Sequence, residues 1–101
     1  GKKRRRKYFL NINILIQIAY WSYCPYCNMA IQLLENEWIE YTGIDVTNDM
    51  VRRSEISEIS WMHTVPMIFN GDISKENLIG WYTELIHLHE SWRLLDMINK
   101  K

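Results

Sequence analysis

This sequence of 101 residues lacks long apolar runs, and none reaches the roughly eighteen consecutive apolar residues that a membrane-spanning helix needs. Cysteine is scarce, with two residues in the whole chain, so a framework of structural disulfides is excluded. Net charge is also lacking, because the formal charge at pH 7 is zero. At this length and with 48% hydrophobic residues, the chain can bury the core of one domain but not of two.

The basic residues are unevenly distributed along the chain. Six of the twelve Lys and Arg lie between Lys2 and Lys7, and the remaining chain carries six basic against twelve acidic residues. Adjacent like charges repel one another, so residues 1–10 are expected to form a disordered, solvated arm. An acidic body has no general reason to bind nucleic acid. Any contact with nucleic acid, a nuclear targeting factor or an anionic membrane would therefore come from the arm.

The two cysteines are separated by two residues, in Cys24-Pro25-Tyr26-Cys27, where a β-like run gives way to a helical pattern. A disulfide between them would close a very short loop and stabilise the fold little, so the pair is better suited to opening and closing. Cys24 fits the N-cap and Pro25 the first helical position, where a missing N–H costs nothing. The N–H groups of Tyr26 and Cys27, with the helix dipole, would then stabilise a Cys24 thiolate. Cys27 lies one turn on, within reach of a mixed disulfide at Cys24.

Three other interpretations of the cysteine pair remain open. A zinc site usually needs four ligands, and the other soft side chains are His63, His87 and His89, the last two facing different ways on a helix. The cysteines could be inert buried thiols, although Pro25 indicates a helix entrance rather than a core interior. A passive disulfide in an exported protein is disfavoured by the small loop. No metal site is predicted.

The hydrophobic periodicity predicts strands and helices in the order βαβαββα. Isoleucines at every second position indicate a first strand, and apolar residues at helical spacing follow the cysteines. The predicted strands are 11–19, 39–46, 65–70 and 77–79, and the predicted helices are 25–38, one capped by Thr47 or Asn48 and running to Ile59, and 81–99 with a break near Ser91. The inner positions of the second helix are predicted to be Met50, Ile56 and Ile59. A strand, a helix and a strand within so few residues form a βαβ unit with parallel strands.

Three motifs, in this order and at this spacing, resemble the glutaredoxin family. They are Cys24-Pro25-Tyr26-Cys27 after the first strand, Thr64-Val65-Pro66 at a later strand, and Gly80-Trp81-Tyr82-Thr83-Glu84-Leu85 before a closing helix. The similarity covers about Ile12 to Ile98, within a glutaredoxin-like domain at 11–101. It implies an α/β, thioredoxin-like fold, a mixed four-stranded sheet with helices on both faces. It also implies that Pro66 is a cis proline opposite the cysteines.

The resemblance implies a glutathione-dependent thiol–disulfide oxidoreductase in which Cys24 attacks and Cys27 or a second glutathione releases the product. Glutathione would act as a cosubstrate, and no tightly bound cofactor is expected. The implied glutathione contacts are Tyr26, Thr64, Val65, Pro66, Thr83 and Glu84. The Val65 backbone would pair with the extended tripeptide, and the start of the last helix would receive its γ-glutamyl carboxylate. Thr83 fits an ordinary N-cap as well.

The sequence departs from the family pattern near the cysteines and before the last helix. Glutaredoxins commonly carry Lys three residues before the first cysteine, where this chain has Trp21, and no Lys or Arg occurs between Lys7 and Arg52. Trp81 replaces the second residue of a glycine pair, where a core position is favoured over narrowing the groove or stacking on a substrate. The remaining candidates for supporting the thiolate are Arg52, Arg53, His63, the arm and the helix start at Pro25.

The expected protein is a monomer that reduces protein disulfides and glutathione mixed disulfides in the cytoplasm, where a catalytic pair can be re-reduced. Two other classes of function stay open. The missing Lys favours a thioredoxin-like electron donor served by a reductase. A binding module is the other class, either an iron–sulfur carrier bridging two chains through Cys24 or an adaptor directed by the arm. Pro25 and the second thiol disfavour a shared cluster.

Overall fold

A mixed sheet and the helices packed on it make up residues 15–99, the part of the chain that this computed structural model describes. The elements are β1 Ile16–Tyr20, α1 Pro25–Asn36, β2 Tyr41–Asp45, α2 Met50–Ser60, β3 Met67–Asn70, a short 3₁₀ helix Lys75–Asn77, β4 Leu78–Gly80, α3 Tyr82–Glu90 and α4 Leu94–Asn99. The strand order is β2-β1-β3-β4, with β1 parallel to β2 and antiparallel to β3. The predicted element order is confirmed. No helix within these residues is long and apolar enough to cross a membrane.

The sheet separates two apolar clusters, because alternate residues of a strand face opposite sides. Ile16 and Ile18 of β1 belong to a cluster with α1, α3 and α4, whereas Ala19 belongs to a cluster with α2. The first cluster comprises Ile16, Ile18, Ala30, Leu33, Leu34, Ile39, Ile68, Leu85 and Leu94, and the second comprises Ala19, Cys27, Val46, Ile56, Val65, Met67 and Phe69. Helices therefore cover both faces of the sheet, as predicted.

The strands differ from their predicted bounds at the ends. β1 begins at Ile16 rather than residue 11, while residues 11–14 and the arm at 1–10 lie outside the described residues. The second strand is shorter than 39–46, the third begins at Met67 rather than residue 65, and the fourth is shifted by one residue to Leu78–Gly80. Apolar residues that flank a strand, such as Ile39, are buried without belonging to the ladder. Hydrophobic patterns therefore overestimate strand length here.

Helix α2 corrects two predictions. Its N-cap is Asp49, whose Oδ1 accepts the Arg52 N–H at 3.0 Å, rather than Thr47 or Asn48. Ile56 is buried as predicted, but Met50 is 61% exposed and Ile59 39% exposed. The buried residues of α2 are Ile56 and Ser60, which lie four positions apart on one helix face, and Met50 and Ile59 lie off that face.

Three tryptophans follow helix ends in the left-handed backbone region. The φ angles are 60° at Trp38, 63° at Trp61 and 64° at Trp92, values usually left to glycine. This explains why α1 ends at Asn36 instead of Trp38, and it coincides with the predicted break near Ser91 between α3 and α4. All three side chains are exposed, so none adds to the core.

Candidate active site

Cys24 lies where β1 passes into α1, and the local geometry follows from its neighbours. It is the N-cap, with φ −96° and ψ 116°, and Pro25 occupies the first helical turn as predicted. The Cys27 N–H donates a hydrogen bond to the Cys24 Sγ at 3.2 Å. Within residues 15–99 no hydrogen bond joins the Tyr26 N–H to that sulfur, so one of the two expected backbone donors is in place. The partly exposed Cys24 sulfur therefore faces a polar donor at the positive end of a helix.

Cys27 has the opposite environment, since none of its surface is exposed. Burial, followed by a hydrogen bond with the Cys24 side chain, raises the pKa of Cys27 to about 12. The Trp21 N–H donates to the Cys27 Sγ at 3.5 Å and acts against this rise without cancelling it. Both cysteines are free thiols. Cys27 therefore remains a thiol at neutral pH, and it is the less accessible of the two cysteines.

The loop before β3 lies beside the cysteines, as predicted. The Val65–Pro66 peptide bond is cis, and Pro66 is buried. The Cys24 Sγ lies 3.9 Å from the Val65 carbonyl oxygen, within the range of a weak S–H donor. Two segments separated by 41 residues in sequence thus meet at the Cys24 sulfur.

Trp81 lies in the site, although the sequence analysis favoured a core position for it. Its half-buried indole donates from Nε1 to the Val65 carbonyl oxygen at 2.7 Å. The ring centroid of Trp81 lies 4.7 Å from that of Tyr26, which in turn lies 5.9 Å from Tyr82. We call Tyr26, Trp81 and Tyr82 the aromatic cluster. Nothing in the sequence pattern predicts that the tryptophan of the third motif bonds to the backbone of the second.

The charge of Arg53 acts on Cys27. It opposes the rise of the Cys27 pKa, and its Nη2 donates to the His63 carbonyl oxygen at 3.3 Å. The His63 side chain is exposed. Trp21, at the position of the family's Lys, brings no charge, and its indole donates to the Thr47 carbonyl oxygen at 3.3 Å.

The residues implied in glutathione binding lie in the loop before β3, in the first turn of α1 and in the first turn of α3. Thr64 is exposed next to Val65, and Thr83 and Glu84 are exposed in the first turn of α3. The N-cap of α3 is Trp81, so an N-cap role for Thr83 is wrong. The Glu84 Oε1 accepts hydrogen bonds from the backbone N–H of Trp81 at 2.8 Å and from the Thr83 hydroxyl at 3.2 Å. This carboxylate joins the start of α3 to the aromatic cluster.

The space around Glu84 explains the glycine of the third motif. Gly80 has φ 127°, and a Cβ at this position would lie 3.0 Å from the Glu84 side chain. An L residue would thus be strained in its backbone and crowded at its side chain.

Within residues 15–99 no group of three or more His, Cys, Asp or Glu side chains is arranged to hold a metal ion.

Comparison with known proteins places this geometry in a family. A sequence profile described as Glutaredoxin matches residues 16–73, more than half of the chain. The chain belongs to the glutaredoxin family. No match was found among curated proteins. Family and fold together support thiol–disulfide oxidoreductase activity, with the two cysteines in the arrangement of a dithiol glutaredoxin.

Solved structures show the same fold along most of the chain. The glutaredoxin from Brucella melitensis is 28% identical with a TM-score of 0.71, covering 85% of this chain and 90% of that one. The dithiolic glutaredoxin from Trypanosoma brucei brucei is 26% identical with a TM-score of 0.72, covering 88% and 91%. A buckwheat glutaredoxin–glutathione complex, at 18% identity and a TM-score of 0.74, covers 90% and 83% and shows the fold alone. The predicted thioredoxin-like fold is confirmed.

Proposed function

We propose that this glutaredoxin reduces disulfides with electrons from glutathione. The Cys24 thiolate attacks one sulfur of a substrate disulfide, which forms a mixed disulfide and releases the other sulfur as a thiol. With a glutathione mixed disulfide as substrate, a second glutathione thiolate then attacks the glutathione sulfur and regenerates the Cys24 thiolate. The net reaction converts one mixed disulfide and one glutathione into a free thiol and oxidised glutathione. With a protein disulfide, Cys27 releases the substrate, and two glutathione molecules re-reduce the pair.

The unequal placement of the two sulfurs carries this proposal. Cys24 accepts the Cys27 N–H at 3.2 Å and is partly exposed, whereas Cys27 is fully buried and holds its proton. A nucleophilic sulfur needs access and stabilisation of its thiolate, and the helix start supplies the second. A resolving sulfur must reach Cys24, which is one helical turn away, and Cys27 gives up its proton to solvent as it attacks the mixed disulfide and displaces the substrate thiolate. The geometry therefore favours Cys24 as the attacking group.

Glutathione recognition is proposed from the surfaces around Cys24. The Val65 backbone at the cis peptide can pair with the extended tripeptide, flanked by Thr64 and Pro66. The start of α3, with Thr83 and Glu84, can receive the γ-glutamyl end through its free N–H groups and the Glu84 carboxylate. Tyr26 can cover the ligand from the side of α1. A neighbouring fold, that of buckwheat glutaredoxin, is solved as a glutathione complex.

The proposed setting follows from the need to re-reduce the dithiol. A reducing compartment such as the cytosol keeps glutathione available for that step. We propose disulfide-containing proteins and glutathione mixed disulfides as substrates, acted on by a monomer. Pro25 and His63 are proposed to support the thiolate, the first by starting the helix and the second beside Thr64.

The proposed function is tested by turnover of a glutathionylated peptide with glutathione as the only reductant. Cys24→Ser should abolish turnover, because the attacking sulfur is lost. Cys27→Ser should retain turnover, because a second glutathione can release the mixed disulfide. Full activity of Cys24→Ser, or no activity of the unmodified protein above the uncatalysed rate, would refute the proposal.

A further inference from the structure

The Val65 carbonyl is already engaged where a peptide ligand would need it. A backbone carbonyl oxygen has two lone pairs, so it can accept two hydrogen bonds. The Trp81 Nε1 donates to this oxygen at 2.7 Å, and the Cys24 Sγ lies 3.9 Å away, where a Cys24 thiol can donate weakly but a thiolate cannot. Within residues 15–99 the Val65 N–H has no hydrogen-bond acceptor. The loop therefore offers a ligand its donor while its acceptor is occupied.

The indole is held in that position by its surroundings. The Trp81 ring contacts the Tyr26 ring in a tilted arrangement with centroids 4.7 Å apart, and the backbone N–H of Trp81 donates to the Glu84 Oε1 at 2.8 Å. The Trp81 φ of −102° is unstrained, so the backbone does not oppose the position in which the indole bonds to the Val65 carbonyl. The bond joins a side chain to a loop 16 residues earlier, so rotation of the side chain alone can break it.

We propose that Trp81 gates the glutathione site by occupying the Val65 carbonyl. A tripeptide that pairs with Val65 through both its N–H and its carbonyl competes with the indole for the carbonyl oxygen, so displacing the indole subtracts the free energy of that hydrogen bond from the binding free energy. The binding of substrates that do not hydrogen-bond to the Val65 carbonyl is not weakened. Trp81 is thus a specificity-determining residue that lowers affinity for glutathione. This inference rests on the proposed function, because it names a control of the same site.

The test separates the indole N–H from the ring. Trp81→Phe keeps an aromatic ring against Tyr26 but removes the donor, and Cys24→Ser in both proteins prevents chemistry. The probe is S-methylglutathione, titrated into each protein and followed by NMR. We expect the dissociation constant to fall about fivefold with Trp81→Phe, the effect of no longer displacing one neutral hydrogen bond.

A matched control uses a tryptophan elsewhere in the chain. Trp61 is 78% exposed and stacks under the Lys75 ammonium at 3.7 Å, so Trp61→Phe in the Cys24→Ser background should leave the dissociation constant unchanged. A second probe of the gate replaces Trp81 by benzothienylalanine, which has the shape of tryptophan without the N–H. It should bind S-methylglutathione as tightly as the Trp81→Phe protein does. This replacement also serves if phenylalanine impairs folding.

The outcomes distinguish the gate from the proposed function. Equal or weaker binding after loss of the N–H overturns the gate, because Trp81 would then be inert or a ligand contact. Glutathione-dependent turnover by the unmodified protein would persist in that case, leaving the proposed function intact. No binding of S-methylglutathione to any variant, together with no turnover, would overturn both.

Discussion

At the scale of single residues, the site depends on one sulfur that is reachable and one that is not. Cys24 caps α1 and is partly exposed, whereas Cys27 is enclosed and its pKa is raised to about 12 by burial and by its bond with Cys24. The same short motif produces both environments, because an N-cap lies at the surface while the fourth residue of the motif turns into the core. The chemical difference between the sulfurs thus follows from helix geometry.

Selective alkylation tests this difference at neutral pH. The reduced native protein should take up one iodoacetamide group at Cys24, because Cys27 is both buried and protonated. Peptide mass spectrometry locates the group, and protein unfolded in urea should take up two. Labelling of native Cys27 at a rate similar to that of Cys24 would contradict the assigned environments.

At the scale of elements, helix ends decide where the chain turns, and three of them are followed by tryptophan. Trp92 follows α3 with φ 64° and is 91% exposed, so its side chain gains little from the fold while its backbone is in the left-handed region. Glycine reaches this region without the clash of a Cβ. A glycine at position 92 would therefore remove an unfavourable backbone conformational energy at this turn.

Trp92→Gly should stabilise the protein by about 1 kcal/mol, the order of the left-handed penalty for an L residue. Urea unfolding at neutral pH measures the change. Trp92→Ala is the matched control and should gain little, because alanine keeps the Cβ that causes the clash. Glycine and alanine variants of equal stability would show that the backbone at this turn is not strained.

The order of elements could be predicted from the sequence, whereas several ends and one site contact could not. The alternation of buried residues in β1 and the helix start at Cys24-Pro25 depend on neighbouring residues in sequence, so both could be predicted. Apolar spacing predicted that the first helix extends to Trp38, although this residue lies beyond the helix in an exposed left-handed position. The bond from Trp81 to Val65 joins distant segments through a side-chain direction, which periodicity does not encode.

At the scale of the whole molecule, the raised pKa values of Cys27 and Tyr41 make the free energy of unfolding depend on pH. Cys27 rises from an ordinary pKa of 9.0 to about 12, mainly by burial. Tyr41 rises from 10.0 to about 12, again by burial and then by its bond to Glu35. Between these values the native state binds more protons than the unfolded chain, so the free energy of unfolding falls as pH rises.

Urea unfolding across the alkaline range tests this linkage. The stabilising contribution is complete below about pH 9 and should be lost progressively as pH approaches about 12. The urea midpoint should therefore fall over that interval, and Cys27→Ala should show a smaller fall. A midpoint that stays constant with pH in both proteins would contradict the role of Cys27 and Tyr41.

The central claim is that Cys24 attacks and Cys27 resolves, and trapping the mixed disulfide tests it most directly. Reduced Cys27→Ser protein is mixed with oxidised glutathione, and intact and peptide mass spectrometry follow the adduct. One glutathione should appear on Cys24, because no second sulfur can displace it. Under the same conditions Cys24→Ser protein should take up none, since Cys27 is enclosed. Glutathione on Cys27 at a comparable rate, or none on Cys24, would contradict the account.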